Sequence, residues 1–361
     1  MAKKKKFSKK LKYGLYAIAV CIFALMVTVA SVGLGSAVKH RTELFIPSGA
    51  TYAQVQDSLR ASGNISMFKF EIISRIKDYP RCVKPGRYVL QRGATARAAV
   101  NKLRMGFQDQ IRLTLRKFRT PEALAGHVSR QIEADSASIA QLLLNDEYLG
   151  GYWFPSREYE TLDEPFDTLP VTTQTVLCLF IPDTYYCFWN MDAKGFLARM
   201  YYEQNRFWND FRRGQARAMG LNRVQVSTLA SIVEEETLNQ EERPDVASVY
   251  LNRYRRRMPL QADPTVKFAI GDFGMKRILK EHLKYESPYN TYLRYGLPPG
   301  PICTPSVSSL DAVLQNKPTK YLYFCAKADF SGTHSFAESY SKHLANARAY
   351  QRELNKKGIK K

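Results

Sequence analysis

At 361 residues, with 45% hydrophobic and 12% aromatic content, the chain can bury the cores of two or three globular units, which excludes a disordered tail. Its formal net charge of +21 favours an anionic partner such as lipid head groups, a cell-wall polymer or nucleic acid. Seven of those charges (Lys3, Lys4, Lys5, Lys6, Lys9, Lys10 and Lys12) crowd into residues 1–12, leaving about +14 for the rest.

This basic tail runs into Tyr13–Val38, a stretch without a charge that exceeds the roughly 20 residues needed to cross a hydrocarbon core. We expect one membrane-spanning helix over 13–38. The lysines before it place the N-terminus in the cytoplasm and the rest of the chain outside, which argues against nucleic acid as the partner. A cleaved signal peptide is the rival, because "SVGLGSA" offers small residues to a peptidase. Of six cysteines, Cys21 lies in that helix and Cys82, Cys178, Cys187, Cys303 and Cys325 lie beyond it. Cys178 and Cys187 flank a turn-like "IPD" and are placed to bridge, but buried, small apolar residues are the commoner outcome, and no cysteine spacing points to a metal.

Residues 44–107 read as a small α+β module. A strand at "LFIPSG" is followed by helices at "TYAQVQDSLRASG" and "MFKFEIISRIK", a turn into a strand at "KPGRYVL", and an amphipathic helix at "TARAAVNKLRMG". Residues 108–192 form a less regular connection with a strand at "IRLTLRKF", two helices and the aromatic-rich "LCLFIPDTYYCFW". Aromatic side chains there serve a core or stack on sugar rings. Residues 193–361 are mostly helical, with helices at "KGFLARMYYEQNRFWNDF", "NRVQVSTLASIVEEET" and "PDVASVYLNRYRRR". Pro- and Gly-rich loops follow at "QADPTVKFAIGDFG" and "SPYNTYLRYGLPPGPICTPS", then a strand at "YLYFCAKA" and a closing helix at "SYSKHLANARAYQREL". The fold class expected is α+β.

The stretch "LASIVEEET" carries three consecutive carboxylates. On a helical wheel with Leu229 at the origin, Ile232 falls at about 300°, Val233 at about 40° and Glu236 at about 340°. Glu236 thus points with the apolar residues. Glu235, at about 240°, points away and is expected to be solvated, while Glu234, at about 140°, sits at the margin. No Lys or Arg stands three or four residues from Glu236. An acid on an apolar face without a cation should have its ionised form destabilised, which suits a general acid; a hydrogen-bonded structural glutamate is the alternative.

Two loops add polar groups beside it. "QADPTV" offers Gln261, Asp263 and Thr265 around a proline-set turn, and "SPYNTY" gathers Tyr289, Asn290, Thr291 and Tyr292. Hydroxyl, amide and aromatic side chains in one loop suit a sugar-binding rim.

Together these residues resemble the membrane-anchored endolytic murein transglycosylases, the YceG-like or MltG family. The resemblance runs through "KPGRYVL", "FIPDTY", "LASIVEEET", "VASVYLNR", "QADPTV", "SPYNTY" with "GLPPGPI", and "GTHSFAESYSKH", in that order over nearly the whole chain after the anchor. It implies a LysM-like subdomain over 44–107 and a catalytic domain over 193–361. The implied reaction cleaves nascent peptidoglycan between N-acetylmuramic acid and N-acetylglucosamine, leaving 1,6-anhydromuramyl ends. Glu236 becomes the catalytic residue and Glu234 its companion acid, while Glu235 stands where the family often has a lysine. Gln261, Asp263, Asn290 and Tyr292 are the expected stabilisers of the oxocarbenium-like state, with His334 a further candidate. No metal or cofactor is expected, and glycan strands and peptidoglycan synthases are the implied partners. Two rivals stand beside this reading: a hydrolytic muramidase with Asp263 as second carboxylate, and a non-catalytic wall-binding scaffold.

Overall fold

A computed structural model describes residues 9–154, 169–275 and 277–357, without the side chains of 9–12, 15, 24, 25, 28–33, 153, 154 and 169. The chain divides into two compact units, one of residues 1–112 with 186–191, the other of residues 113–185 with 192–361. Both mix helices with short strand pairs, so the class is α+β as expected.

The first unit opens with helix α1 (Lys9–Leu34). Among the described residues no helix is long and apolar enough to cross a membrane. The helix stops short of Val38, and Ala37 and Val38 instead belong to a globular core, their amide groups donating to the Ala94 carbonyl at 2.9 and 3.1 Å. Strand β1 (Thr42–Ile46), helices α2 (Tyr52–Ser62) and α3 (Met67–Ile76), strand β2 (Gly86–Leu90) and helix α4 (Ala96–Met105) follow. β1 and β2 pair antiparallel, with Thr42 opposite Leu90 and Ile46 opposite Gly86. Thr51 starts α2 with a reciprocal capping box to Gln54, and Gly63 ends it in the left-handed conformation that glycine adopts without steric cost. Leu59, Phe70, Tyr79, Tyr88, Val100 and Leu103 fill the core beneath.

The chain leaves this unit within β3 (Ile111–Thr114), a shorter strand than "IRLTLRKF" suggests. Helices α5 (Pro121–Val128), α6 (Ser136–Leu143) and α7 (Asp146–Leu149) and the antiparallel pair β4 (Trp153–Phe154) and β5 (Leu169–Pro170) lead to β6 (Thr184–Cys187). In the aromatic stretch, Phe180 is core, stacked on Phe196 at 5.8 Å, whereas Tyr186 and Phe188 are exposed. The expected bridge between Cys178 and Cys187 does not form; both, like Cys303, are buried thiols.

Helices α8 (Ala193–Phe207), α9 (Asp210–Ala218), α10 (Arg223–Glu236) and α11 (Arg243–Arg255) build the larger core with α13 (Val307–Leu314). Between the last two lies α12 (Asp263–Ile270), where the sequence suggested a loop. Pro264 in its first turn needs no amide partner, and left-handed Gly271 stops it. The antiparallel pair β7 (Tyr323–Ala326) and β8 (His334–Ala337) and the closing helix α14 (Tyr340–Lys356) complete the unit. α10 is central: apart from half-buried Gln225, every residue from Arg223 to Val233 is buried, so no broad solvent face runs along it.

Candidate active site

Three consecutive glutamates end α10, and each meets a different environment. Glu234 is held by Arg243 at 3.2 Å and accepts from the hydroxyls of Ser306 and Ser309, the N-cap and first-turn residues of α13. Glu235 lies between Lys117 at 3.0 Å and Arg119 at 2.6 Å, with only 12% of its side chain exposed. It is therefore not the solvated carboxylate the wheel predicts. The wheel assumes one buried face, but α10 is enclosed and a second wall supplies cations. Burial alone would raise the Glu235 carboxyl; hydrogen bonds from Arg119 and Lys117 outweigh it and hold it below its ordinary range.

Glu236 has no such cation. Its Oε1 accepts from the hydroxyl of Tyr250, 14 residues along the chain on α11, at 2.8 Å. Burial pushes its carboxyl up to about 7; the Tyr250 hydrogen bond works against this, and the nearby Asp263 charge adds to it. Its place as the last residue of α10 acts in the same direction, since the carbonyl end of a helix disfavours an anion. A carboxyl whose one oxygen accepts from Tyr250 carries its proton on the other, Oε2.

Glu236 opens onto a cleft of about 280 Å³ within the second unit. Asp263, at the start of α12, lies on its wall, and its Oδ1 accepts from the Tyr292 hydroxyl at 2.6 Å. Gln261 lines the cleft as well, in the left-handed region (φ 52°) that costs a non-glycine residue strain, its Oε1 accepting from Arg253 at 3.2 Å. Arg253 also donates to the carbonyls of Leu322 at 2.7 Å and Leu260 at 2.9 Å, so the guanidinium pins the loop before α12 to β7. Phe324 and His343 close the far side.

The remaining expected residues frame this cleft without lining it. Thr265 and Thr291 are buried, their hydroxyls 2.8 Å apart, and the Ala262 amide donates to Thr291 Oγ1 at 3.0 Å. They fasten the "QADPTV" turn to the "SPYNTY" loop. Asn290, expected to face a cationic intermediate, is fully buried. Its amide donates to the Leu283 and Tyr285 carbonyls, and its oxygen accepts from the Tyr292 amide at 3.0 Å. Tyr289 packs on Phe268 with centroids 4.7 Å apart. Past this loop, a Cβ at Gly300 would run into the Gln174 carbonyl, so only glycine permits the approach. His334 bonds Glu242 twice, backbone amide and Nδ1 at 2.7 and 3.0 Å, which removes it from the cleft. Glu234 braces Ser306, the N-cap of α13, instead of accompanying Glu236.

Sequence reasoning missed Tyr250, Arg253, Phe324 and His343. A signal existed for two of them: Tyr250 and Arg253 stand three apart and so share one face of α11. Among the described residues no group of three or more His, Cys, Asp or Glu side chains is placed to hold a metal ion.

The second unit thus brings one carboxyl, raised by burial, together with Asp263, Gln261 and Tyr292 in a single cleft of an α+β fold. Residues 44–349 match the YceG-like family, and the chain belongs to it. It is 41% identical over 142 residues to the endolytic murein transglycosylase of Bacillus subtilis, covering 38% of this chain and 39% of that protein. It is 25% identical over 301 residues to the endolytic murein transglycosylase of Streptococcus pneumoniae serotype 2, covering 78% of this chain and 53% of the relative. The chain thus spans about half or less of the length of these relatives. Its fold is similar to the crystal structure of a yceG-like protein from Listeria monocytogenes, with a TM-score of 0.54 at 22% identity, covering 85% of this chain and 98% of that one.

Proposed function

We propose that this protein is an endolytic lytic transglycosylase that cuts nascent peptidoglycan between N-acetylmuramic acid and N-acetylglucosamine, leaving 1,6-anhydromuramyl ends. The observation that carries this reading is Glu236, a half-buried carboxyl on the cleft wall, raised to about 7 by burial and with one oxygen fixed by the Tyr250 hydroxyl. The proton on Oε2 passes to the glycosidic oxygen as the bond to the anomeric carbon breaks. The resulting carboxylate then takes the proton of the muramyl C6 hydroxyl, whose oxygen attacks that carbon, so no water is consumed. Asp263, held by Tyr292, presents a carboxylate to the cationic ring, and Gln261 offers hydrogen bonds to the sugar.

The relatives' names support this chemistry. The βααβ arrangement of β1, α2, α3 and β2 supports a LysM-like glycan-holding role for the first unit. The uncharged Tyr13–Val38 stretch behind a polylysine tail supports a single anchor in the cytoplasmic membrane, with the chain after it outside, where peptidoglycan synthases are the natural neighbours.

Asp263 also keeps a second reading, hydrolysis by a carboxylate pair, in view. Mass spectrometry of glycan digests separates the two, because an anhydro end is lighter than a reducing end by one water. We expect anhydro ends from the wild type and none from Glu236→Gln, with glycan binding retained. Reducing ends alone would establish the hydrolase, and unchanged anhydro ends in the variant would remove Glu236 from the chemistry.

A further inference from the structure

Besides Arg253, which pins the loop before α12, the cleft holds an ionisable side chain that the chemistry above leaves unused. His343 comes from α14 and lines the cavity with Glu236, Arg253 and Phe324. Its ring stacks on Tyr323, with centroids 5.4 Å apart and planes 26° from parallel, and meets Tyr340 at 6.1 Å. Nδ1 is buried, and among the described residues nothing hydrogen-bonds it.

That orphaned nitrogen decides the proton's position. A buried, unpaired N–H is costlier than a buried, unpaired lone pair, because a carbonyl or ring acceptor tolerates loss of water better than a donor does. The imidazolium, with protons on both nitrogens, would bury an unpaired N–H close to the Arg253 guanidinium. Burial and Arg253 both hold the ring's pKa below its ordinary value, in agreement with a neutral ring. The proton of the neutral ring then belongs on Nε2, the nitrogen that is left to the cleft.

We propose that His343 is a substrate-binding residue of this site, a neutral imidazole whose Nε2–H donates a hydrogen bond to a carbonyl or hydroxyl oxygen of the bound amino sugar. This rests on the transglycosylase reading for the identity of the glycan, but not for the direction of the hydrogen bond. The stack on Tyr323 fixes the ring plane, so the donor is aimed before substrate arrives, and aiming it adds no ordering cost on binding.

The test is a side-chain series at one position, measured as kcat and KM for anhydro-end release and, in the Glu236→Gln background, as affinity for isolated glycan strands. Glutamine can put an N–H where Nε2 stands, asparagine only where Nδ1 stands, and phenylalanine keeps the stack without any donor. We expect His343→Ala, His343→Asn and His343→Phe to lose about tenfold in kcat/KM and in glycan affinity, the usual cost of one donor, and His343→Gln to recover most of it. Phenylalanine matching the wild type, or glutamine falling with alanine while all four variants melt alike, overturns the proposal. The binding arm keeps the two readings apart. Glycan affinity that follows this series, when the protein with Glu236 intact releases no anhydro ends either, would sink the transglycosylase reading and leave the His343 donor standing.

Discussion

What faces Glu236 separates it from its neighbours: Glu234 and Glu235 meet guanidinium and ammonium groups, and Glu236 meets a phenol. The raised carboxyl fixes the direction of two pH effects. If protonated Glu236 is the working form, kcat/KM for glycan cleavage should fall as pH rises through about 7, which a pH–rate profile of anhydro-end release will show. Stability should run the same way. A carboxyl whose folded pKa lies above its unfolded value contributes fully below about 4.5 and loses that contribution as pH climbs through about 7. Glu236→Gln, neutral throughout, should therefore melt progressively higher than the wild type between about pH 5 and about pH 8, by at most about 3 kcal/mol. Tyr250→Phe removes a donor that favours the carboxylate. It should move the alkaline limb of the profile to higher pH and cost about tenfold in rate.

At the scale of elements, α10 works as a distributor of carboxylates because other elements surround it. Its last turn reaches the N-terminus of α13 with Glu234, the segment after β3 with Glu235 and the cleft with Glu236. Removing Glu234 would leave the buried Arg243 guanidinium without its carboxylate and unbrace the Ser306 cap of α13, at a cost of about 3 kcal/mol or more. Glu234→Ala should lower the thermal midpoint by roughly 6–12 °C in a calorimetric scan, without moving the pH at which activity falls. α12 shows the opposite case of legibility. Its proline and glycines read as a loop, yet Pro264 sits in the first turn and Gly271 just past the last, the two places where a helix accepts them. The "SPYNTY" loop is irregular as expected, but Asn290 and Thr291 turn inward because a loop that frames a cleft must satisfy its own backbone first.

For the molecule as a whole, the join between the N-terminal helix and the first unit falls earlier than hydropathy places it. An apolar run cannot distinguish residues that leave a helix from residues that enter a core, and Ala37 and Val38 do the second. A chain beginning at Gly35 should keep the native melting behaviour of that unit. One beginning at Lys39 loses the two amide bonds to Ala94, the Ser66 amide's bond to Ala37 and the Gly93 amide's bond to Val38. It should melt lower by about 3 kcal/mol or more, as read by urea titration.

Helix periods, capping residues and the run of apolar side chains before "EEE" are local, so the α+β class and the inward aim of Glu236 could be read along the chain. Which cation answers Glu234 or Glu235, that His343 and not His334 reaches the cleft, and that Tyr250 rather than a cation holds Glu236 depend on residues 9 to 116 positions apart in sequence. Those pairings are set by how α10 is enclosed, and enclosure is a property of packing that a helical wheel cannot express.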